Sequence, residues 1–108
     1  MLRIVDVMVE LVADAAPLVE AIGRRDAALA RQLRDALWSI ALNTAEGCDQ
    51  RGARRTNHYA IALGSARESF TALRVAQAFG YIGPVPEGLV NRFNHVIGTL
   101  VKNVRTYD

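Results

Sequence analysis

The chain has few of the cysteines that cross-link small folds and few of the aromatic residues that favour β-strands. It contains one cysteine, Cys48, and three prolines, and aromatic side chains make up 6% of its 108 residues. A single cysteine excludes a disulfide within the chain, so the fold depends on packing. Few aromatic residues and many alanines and leucines favour helices over strands. The length predicts one domain over residues 1–108, large enough to bury a core.

Long hydrophobic runs are also missing. A membrane helix needs about 20 predominantly apolar residues, and no segment approaches this. The apolar start of the chain is interrupted by Arg3, Asp6 and Glu10, which is too early for the core of a secretory signal peptide. We therefore expect a soluble, cytoplasmic protein with no membrane partner.

The charge is nearly balanced. The formal net charge is +2, from 13 basic and 11 acidic residues, and this is too small to indicate nucleic-acid binding by itself. Lys102 is the only lysine, so the other basic residues are arginines. Arginine suits phosphate recognition, but a codon bias towards arginine gives the same ratio.

Four segments have the periodicity of amphipathic helices. The first spans about residues 2–22 and contains Pro17, where we expect a kink or a new helix start. The second runs from an N-cap at Asp26 to Glu46, with Gly47 as its stop. The third spans about 54–79, and Pro86 takes the first position of the fourth. The short connections predict an all-α fold, an antiparallel up-down-up-down four-helix bundle.

Apolar stripes on these segments predict the core. The second helix has a ridge with Ala36 and Trp38 beside it, and the third helix has two stripes. The ridge of the second helix is Leu29, Leu33, Leu37, Ile40 and Thr44. The stripes of the third helix are Tyr59, Leu63, Ala66, Phe70 and Leu73, and Ile61, Ala72, Val75 and Phe79. The ridge of the fourth helix includes Leu89, Phe93, Val96 and Leu100.

Two stretches resemble a known family. Residues 32–47 read QLRDALWSIALNTAEG, and residues 61–68 read IALGSARE, followed by GYI at 80–82. This resembles the bacterial four-helix-bundle proteins encoded in intervening sequences of large-subunit ribosomal RNA genes, with Asp35 in place of a usual basic residue.

The resemblance implies an assembly as well as a fold. Structurally known members of the family form ring-like pentamers. A related branch serves as the accessory protein of reverse transcriptases in diversity-generating retroelements, where it binds nucleic acid and the enzyme. We therefore expect a homo-oligomer, a pentamer by resemblance, and the further partners implied are RNA, DNA or a second protein.

Catalytic patterns are missing. A di-metal carboxylate site in a bundle needs Glu-x-x-His on two helices, whereas Arg55 and Arg92 stand three residues before His58 and His95. Cys48 and His58 are ten residues apart, without an orienting third group. Neither a glycine-rich phosphate loop nor a zinc spacing is present. We expect no enzyme, no metal and no cofactor.

One end of the predicted bundle collects basic residues. The loop after the second helix lies at the same end as both termini, and a phosphate backbone could bind there. The candidate nucleic-acid residues are Arg51, Arg54, Arg55, Lys102 and Arg105. The alternative is an ordinary solvated rim.

The first helix carries a second apolar stripe beside its core stripe. An exposed stripe of this length is unusual on a monomer, so it predicts a subunit interface. The candidate contacts are Val5, Val9, Val12 and Val19. The alternative is a wide core-facing arc.

A polar stripe joins the second and third helices. Its members lie on one face of each helix and are interpreted as structural cross-links rather than a ligand site. They are Gln32, Ser39, Asn43, Glu46, Ser65 and Glu68. Together these features predict a non-catalytic homo-oligomer that binds nucleic acid or a ribonucleoprotein partner. The alternative is a protein–protein interaction scaffold that binds no nucleic acid.

Overall fold

The structure is a computed structural model that describes residues 2–105, with side chains from 4 to 104. Four helices follow one another: α1 (Leu2–Gly23), α2 (Ala27–Cys48), α3 (Gly52–Ala78) and α4 (Glu87–Arg105). Each packs against the next, and α4 returns to α1. Short connections make consecutive helices antiparallel, which confirms the predicted all-α four-helix bundle. Its longest dimension is 42 Å.

Two predictions concern Pro17 in α1 and the start of α2. Pro17 lies inside α1, which continues through it to Gly23, so the alternative of a new helix start is wrong. Pro17 is exposed, and water can therefore bond the carbonyl that lacks an amide donor. Asp26 is confirmed as the N-cap of α2, because its Oδ1 accepts a hydrogen bond from the backbone N–H of Leu29 at 2.9 Å.

Gly47 does not stop α2, which ends one residue later at Cys48. The glycine is buried beside α3 instead. A Cβ atom at this position would lie 2.6 Å from Cε1 of Tyr59. Gly47 therefore provides the space that the tyrosine ring fills. The glycine is explained by this contact with α3 and not by a helix stop.

The connections differ slightly from the predicted ones. α3 starts two residues early, at Gly52, whose φ of +59° suits glycine. Pro86 directly precedes α4 rather than opening it, and its carbonyl accepts hydrogen bonds from the N–H groups of Leu89 and Val90, both at 3.0 Å. Pro86 thus caps the first turn.

The core stripe of α3 was predicted only in part. Leu63 and Phe70 are half-buried, and Ile61, Val75 and Phe79 are exposed. The buried positions are mostly small: Tyr59, Ala62, Ala66, Ser69, Ala72, Leu73 and Ala76. Small residues let α2 and α3 approach closely, so larger side chains lie at the flanks of the contact.

The other helices bury larger side chains. Predicted core residues that are confirmed as buried include Leu33, Leu37, Ile40 and Thr44 on α2 and Leu89, Phe93, Val96 and Leu100 on α4. Met8, Leu11, Ala15 and Ile22 contribute from α1. Trp38 does not join them, because 61% of it is exposed.

Candidate nucleic-acid and subunit interfaces

The predicted basic residues lie where three helix ends meet. Arg51 is in the short connection after α2, Arg54 is in the first turn of α3, and Lys102 is in the last turn of α4. All three are exposed. Arg105 is the last residue of α4, and its side chain lies outside the described residues. The topology brings these positions to one end of the bundle, as predicted; whether they bind nucleic acid stays a prediction.

Arg55 differs from its neighbours. Its guanidinium lies over the ring of Tyr59, 5.4 Å from the ring centroid, and the residue is half-buried. This cation–π contact anchors the start of α3 to the core. Arg55 is therefore committed partly to packing, which leaves Arg51 and Arg54 as the more available cations of this loop.

Tyr59 connects this end to the close contact between α2 and α3. Its hydroxyl lies 3.6 Å from the Sγ atom of Cys48. Burial, followed by the hydrogen bond and charge of Cys48, raises the pKa of Tyr59, and Arg55 opposes this rise. The phenol stays neutral at physiological pH, so the contact persists there.

The second apolar stripe of α1 lines an open groove beside α2. The groove has a volume of about 690 Å³. Val9 is 53% exposed and Trp38 is 61% exposed. The lining residues are Val9, Val12, Ala16, Val19, Glu20 and Gly23 from α1 and Arg34, Leu37, Trp38 and Ala41 from α2. Val5 is half-buried and is not among them.

A hydrogen-bonded network forms part of the predicted polar stripe. The Nδ2 group of Asn43 donates to the carbonyl and to Oγ of Ser39, at 3.1 and 3.0 Å. This orientation leaves Oδ1 of Asn43 facing Nδ1 of His58 at 3.1 Å. Oδ1 only accepts, so Nδ1 of His58 carries the hydrogen. Ser65 completes the link by donating from Oγ to Oγ of Ser39 at 2.8 Å.

The remaining members of the stripe lie apart from the network. The side chains of Gln32, Glu46 and Glu68 are exposed. The network therefore joins three predicted residues with His58, which was not predicted. His58 lies seven residues, or two turns of α3, before Ser65, so both share the face that meets α2, and this spacing is the signal that the sequence offers.

Trp38 lines the groove but is not among the interface candidates that the sequence predicts. Arg34, Trp38 and Ala41 follow helical spacing, so they mark the face of α2 that borders α1. A charged residue within this row was a sign that the row is open to solvent.

Metal and membrane sites can be assessed within residues 2–105. There, no group of three or more His, Cys, Asp or Glu side chains is arranged to hold a metal ion. In the same range no helix has the length and hydropathy needed to cross a bilayer.

A family model places the chain among known proteins. The model of the 23S rRNA-intervening sequence protein matches residues 1–101, nearly the whole chain. Comparison with curated proteins and with solved structures gave no match. The four-helix bundle agrees with the resemblance carried by helices α2 and α3. The chain therefore belongs to the family of 23S rRNA-intervening sequence proteins.

Proposed function

We propose that the protein is a cytoplasmic, non-catalytic homo-oligomer that binds nucleic acid, or a ribonucleoprotein, through its basic end. Copies associate through the groove between α1 and α2. Five copies form the ring, a number that comes from the family resemblance. The exposed apolar groove is the observation that supports this proposal most directly.

The groove supports association because water contacts apolar side chains there. Val9 and Trp38 are both more than half exposed, and burying such surface is favourable by about 25 cal/mol per Å². Glu20 and Arg34 stand at the same groove and can align an incoming subunit through their opposite charges. A head-to-tail contact of this kind closes into a ring when the rotation per subunit permits it.

The mass in solution tests the groove. We expect the parent chain to have five times its subunit mass of 11.8 kDa in light scattering, and Val9→Asp to lower the mass to that of the monomer. Val75→Asp is the matched control, since Val75 is also partly exposed but lies on α3. Trp38 is the only tryptophan, so its emission should shift to longer wavelength when Val9→Asp exposes it. A Val9→Asp variant of unchanged mass would refute this interface.

The basic end supports nucleic-acid binding through two exposed arginines. Neither Arg51 nor Arg54 forms an ion pair with a described carboxylate, in contrast to Arg92. A ring repeats these cations in every copy, and multiple cations release counterions from a phosphate backbone.

Fluorescence anisotropy with a structured RNA and a DNA duplex tests the basic end. We expect binding that weakens steeply between low and physiological salt and is lost in the double variant Arg51→Glu/Arg54→Glu. Arg55 is left unchanged because it packs on Tyr59. The control Arg31→Glu/Arg67→Glu makes the same charge change at exposed positions away from this end. Equal loss in both variants would indicate a general charge effect and reject the site.

The alternative function is a protein–protein interaction scaffold without nucleic-acid binding. The same groove favours it, because a different protein could occupy an apolar face. Affinity capture after nuclease treatment separates the two functions. One stoichiometric protein partner, together with no anisotropy change at low salt, would support the scaffold and reject the nucleic-acid function.

A further inference from the structure

The opposite end of the bundle carries an exposed aromatic stack. Phe79 follows α3 and is 67% exposed. Its ring stacks on that of Tyr81, with centroids 5.3 Å apart and planes inclined by 14°. The guanidinium of Arg25, from the connection between α1 and α2, lies over the Tyr81 ring at 5.6 Å. Two inter-helix connections thus meet in one group of planar side chains.

The backbone holds this stack in place. Gly80 has a φ of +76°, the left-handed conformation that ends many helices. The N–H of Tyr81 donates to the carbonyl of Ala76 at 2.9 Å, and that of Gly80 donates to Gln77 at 3.0 Å. These bonds form a Schellman motif. Phe79 and Tyr81 therefore flank a rigid turn, and little conformational entropy remains to be lost on binding.

Side chains add to the rigidity. Tyr81 is half-buried, and desolvation together with its hydrogen bond to Asp26 raises the pKa of Tyr81. Asp26 also caps α2. The outer aromatic ring thus rests on a residue that is tied to two helices.

We propose that Phe79 is a stacking platform for an unpaired base of single-stranded nucleic acid. A fixed, exposed ring offers a face on which any base can stack. The neighbouring Arg24 and Arg25 are exposed and supply positive charge for the adjoining phosphates. This charge favours a nucleic-acid strand over an apolar protein segment. The proposal does not rest on the basic end, which lies at the other end of the molecule.

Two hexanucleotide probes with equal phosphate counts separate stacking from charge. One is oligodeoxyadenylate, and the other has the same backbone with abasic sites. We expect Phe79→Ala to weaken binding of the first probe by at least about fivefold in anisotropy at low salt. The abasic probe should bind parent and variant equally, and Phe79→Trp should retain the preference for bases.

Control variants distinguish binding at Phe79 from binding at the basic end, from unfolding and from association of subunits. The Phe79 effect should persist in the Arg51→Glu/Arg54→Glu background, whether or not the basic end binds nucleic acid. The helical circular dichroism of each variant verifies folding. Equal affinity of Phe79→Ala and parent for oligodeoxyadenylate would overturn the platform, as would an equal loss on the abasic probe. A change of mass in solution on Phe79→Ala would show that a second copy covers the ring, and this too would overturn it.

Discussion

Helices α3 and α4 are neighbours in the same core, but they bury different kinds of side chain. α4 contributes Leu89, Phe93, Val96 and Leu100, which fill the space between helices. α3 contributes four alanines and a serine, besides Tyr59 and Leu73. Large side chains stabilise by filling volume, whereas small ones allow another helix to approach. Opposite changes should therefore destabilise the bundle at the two places. On α4 the harmful change is a shorter side chain, and at the α2–α3 contact it is a larger one.

The largest effect is expected from truncation on α4. Phe93 is fully buried and packs against Phe70, with centroids 5.3 Å apart. Phe93→Ala should lower the free energy of unfolding by about 3–5 kcal/mol, through lost burial and the cavity left behind. Urea denaturation at fixed protein concentration measures this. Phe79→Ala removes the same atoms from an exposed position, and the loss of its stack on Tyr81 should cost no more than about 1 kcal/mol. Similar losses in both variants would contradict the assigned core.

Enlargement should be harmful where α2 meets α3. Gly47→Ala places a Cβ atom against the Tyr59 ring, and overpacking outweighs the gain in helix propensity. We expect a net loss of about 1–2 kcal/mol. Gly64→Ala is the matched control, since Gly64 lies inside α3 with no atom near the added Cβ. That variant should be more stable by about 0.5–1 kcal/mol. If both variants gained stability, the close approach at Gly47 would be refuted.

The difference in size between the buried side chains of α3 and α4 also decides how much of the core could be predicted from the sequence. On α4 the buried residues are the large ones, so periodicity identified them. On α3 the buried row of Tyr59, Ala62, Ala66 and Ser69 is mostly small, and Ile61, Val75 and Phe79 dominate the apparent stripe from exposed positions. Periodicity records hydrophobicity and not the distance between helices. The sequence pattern therefore predicts a helix stop at Gly47, although the role of this glycine depends on a ring 12 residues later.

The sequence predicts those parts of the candidate sites whose residues all lie on one helix. The α1 stripe and the shared face of Ser39 and Asn43 follow from spacing alone. The bond between Asn43 and His58 depends on the register of α2 against α3, which no single helix encodes. The stack of Phe79 on Tyr81 depends on the left-handed Gly80, and a hydrophobic pattern does not record backbone handedness.

Removing hydrogen bonds where α2 meets α3 should lower stability less than disturbing the packing there. Asn43→Ala removes the bonds to Ser39 and His58, and we expect a loss of about 1 kcal/mol. Gln32→Ala, at an exposed position of the same helix, should stay within about 0.5 kcal/mol of the parent. A double-mutant cycle with His58→Ala isolates the Asn43–His58 coupling. A coupling of zero would mean that the two side chains stabilise the bundle independently.

The smallest effect is expected at the surface between α4 and α1. Arg92 pairs through Nη1 with Glu10 at 2.9 Å and through Nε with Asp14 at 2.6 Å. Both carboxylates are exposed and Arg92 is half-buried, so Arg92→Ala should cost no more than about 1 kcal/mol. The loss should shrink between low salt and about 1 M salt because exposed pairs are screened. Arg67→Ala, an exposed arginine outside any described ion pair, should show neither the loss nor the salt dependence. If salt does not reduce the stability loss of Arg92→Ala, the aliphatic part of the Arg92 side chain stabilises the bundle by packing rather than by charge. Helix α4 would then depend on filled volume at its surface as well as in the core.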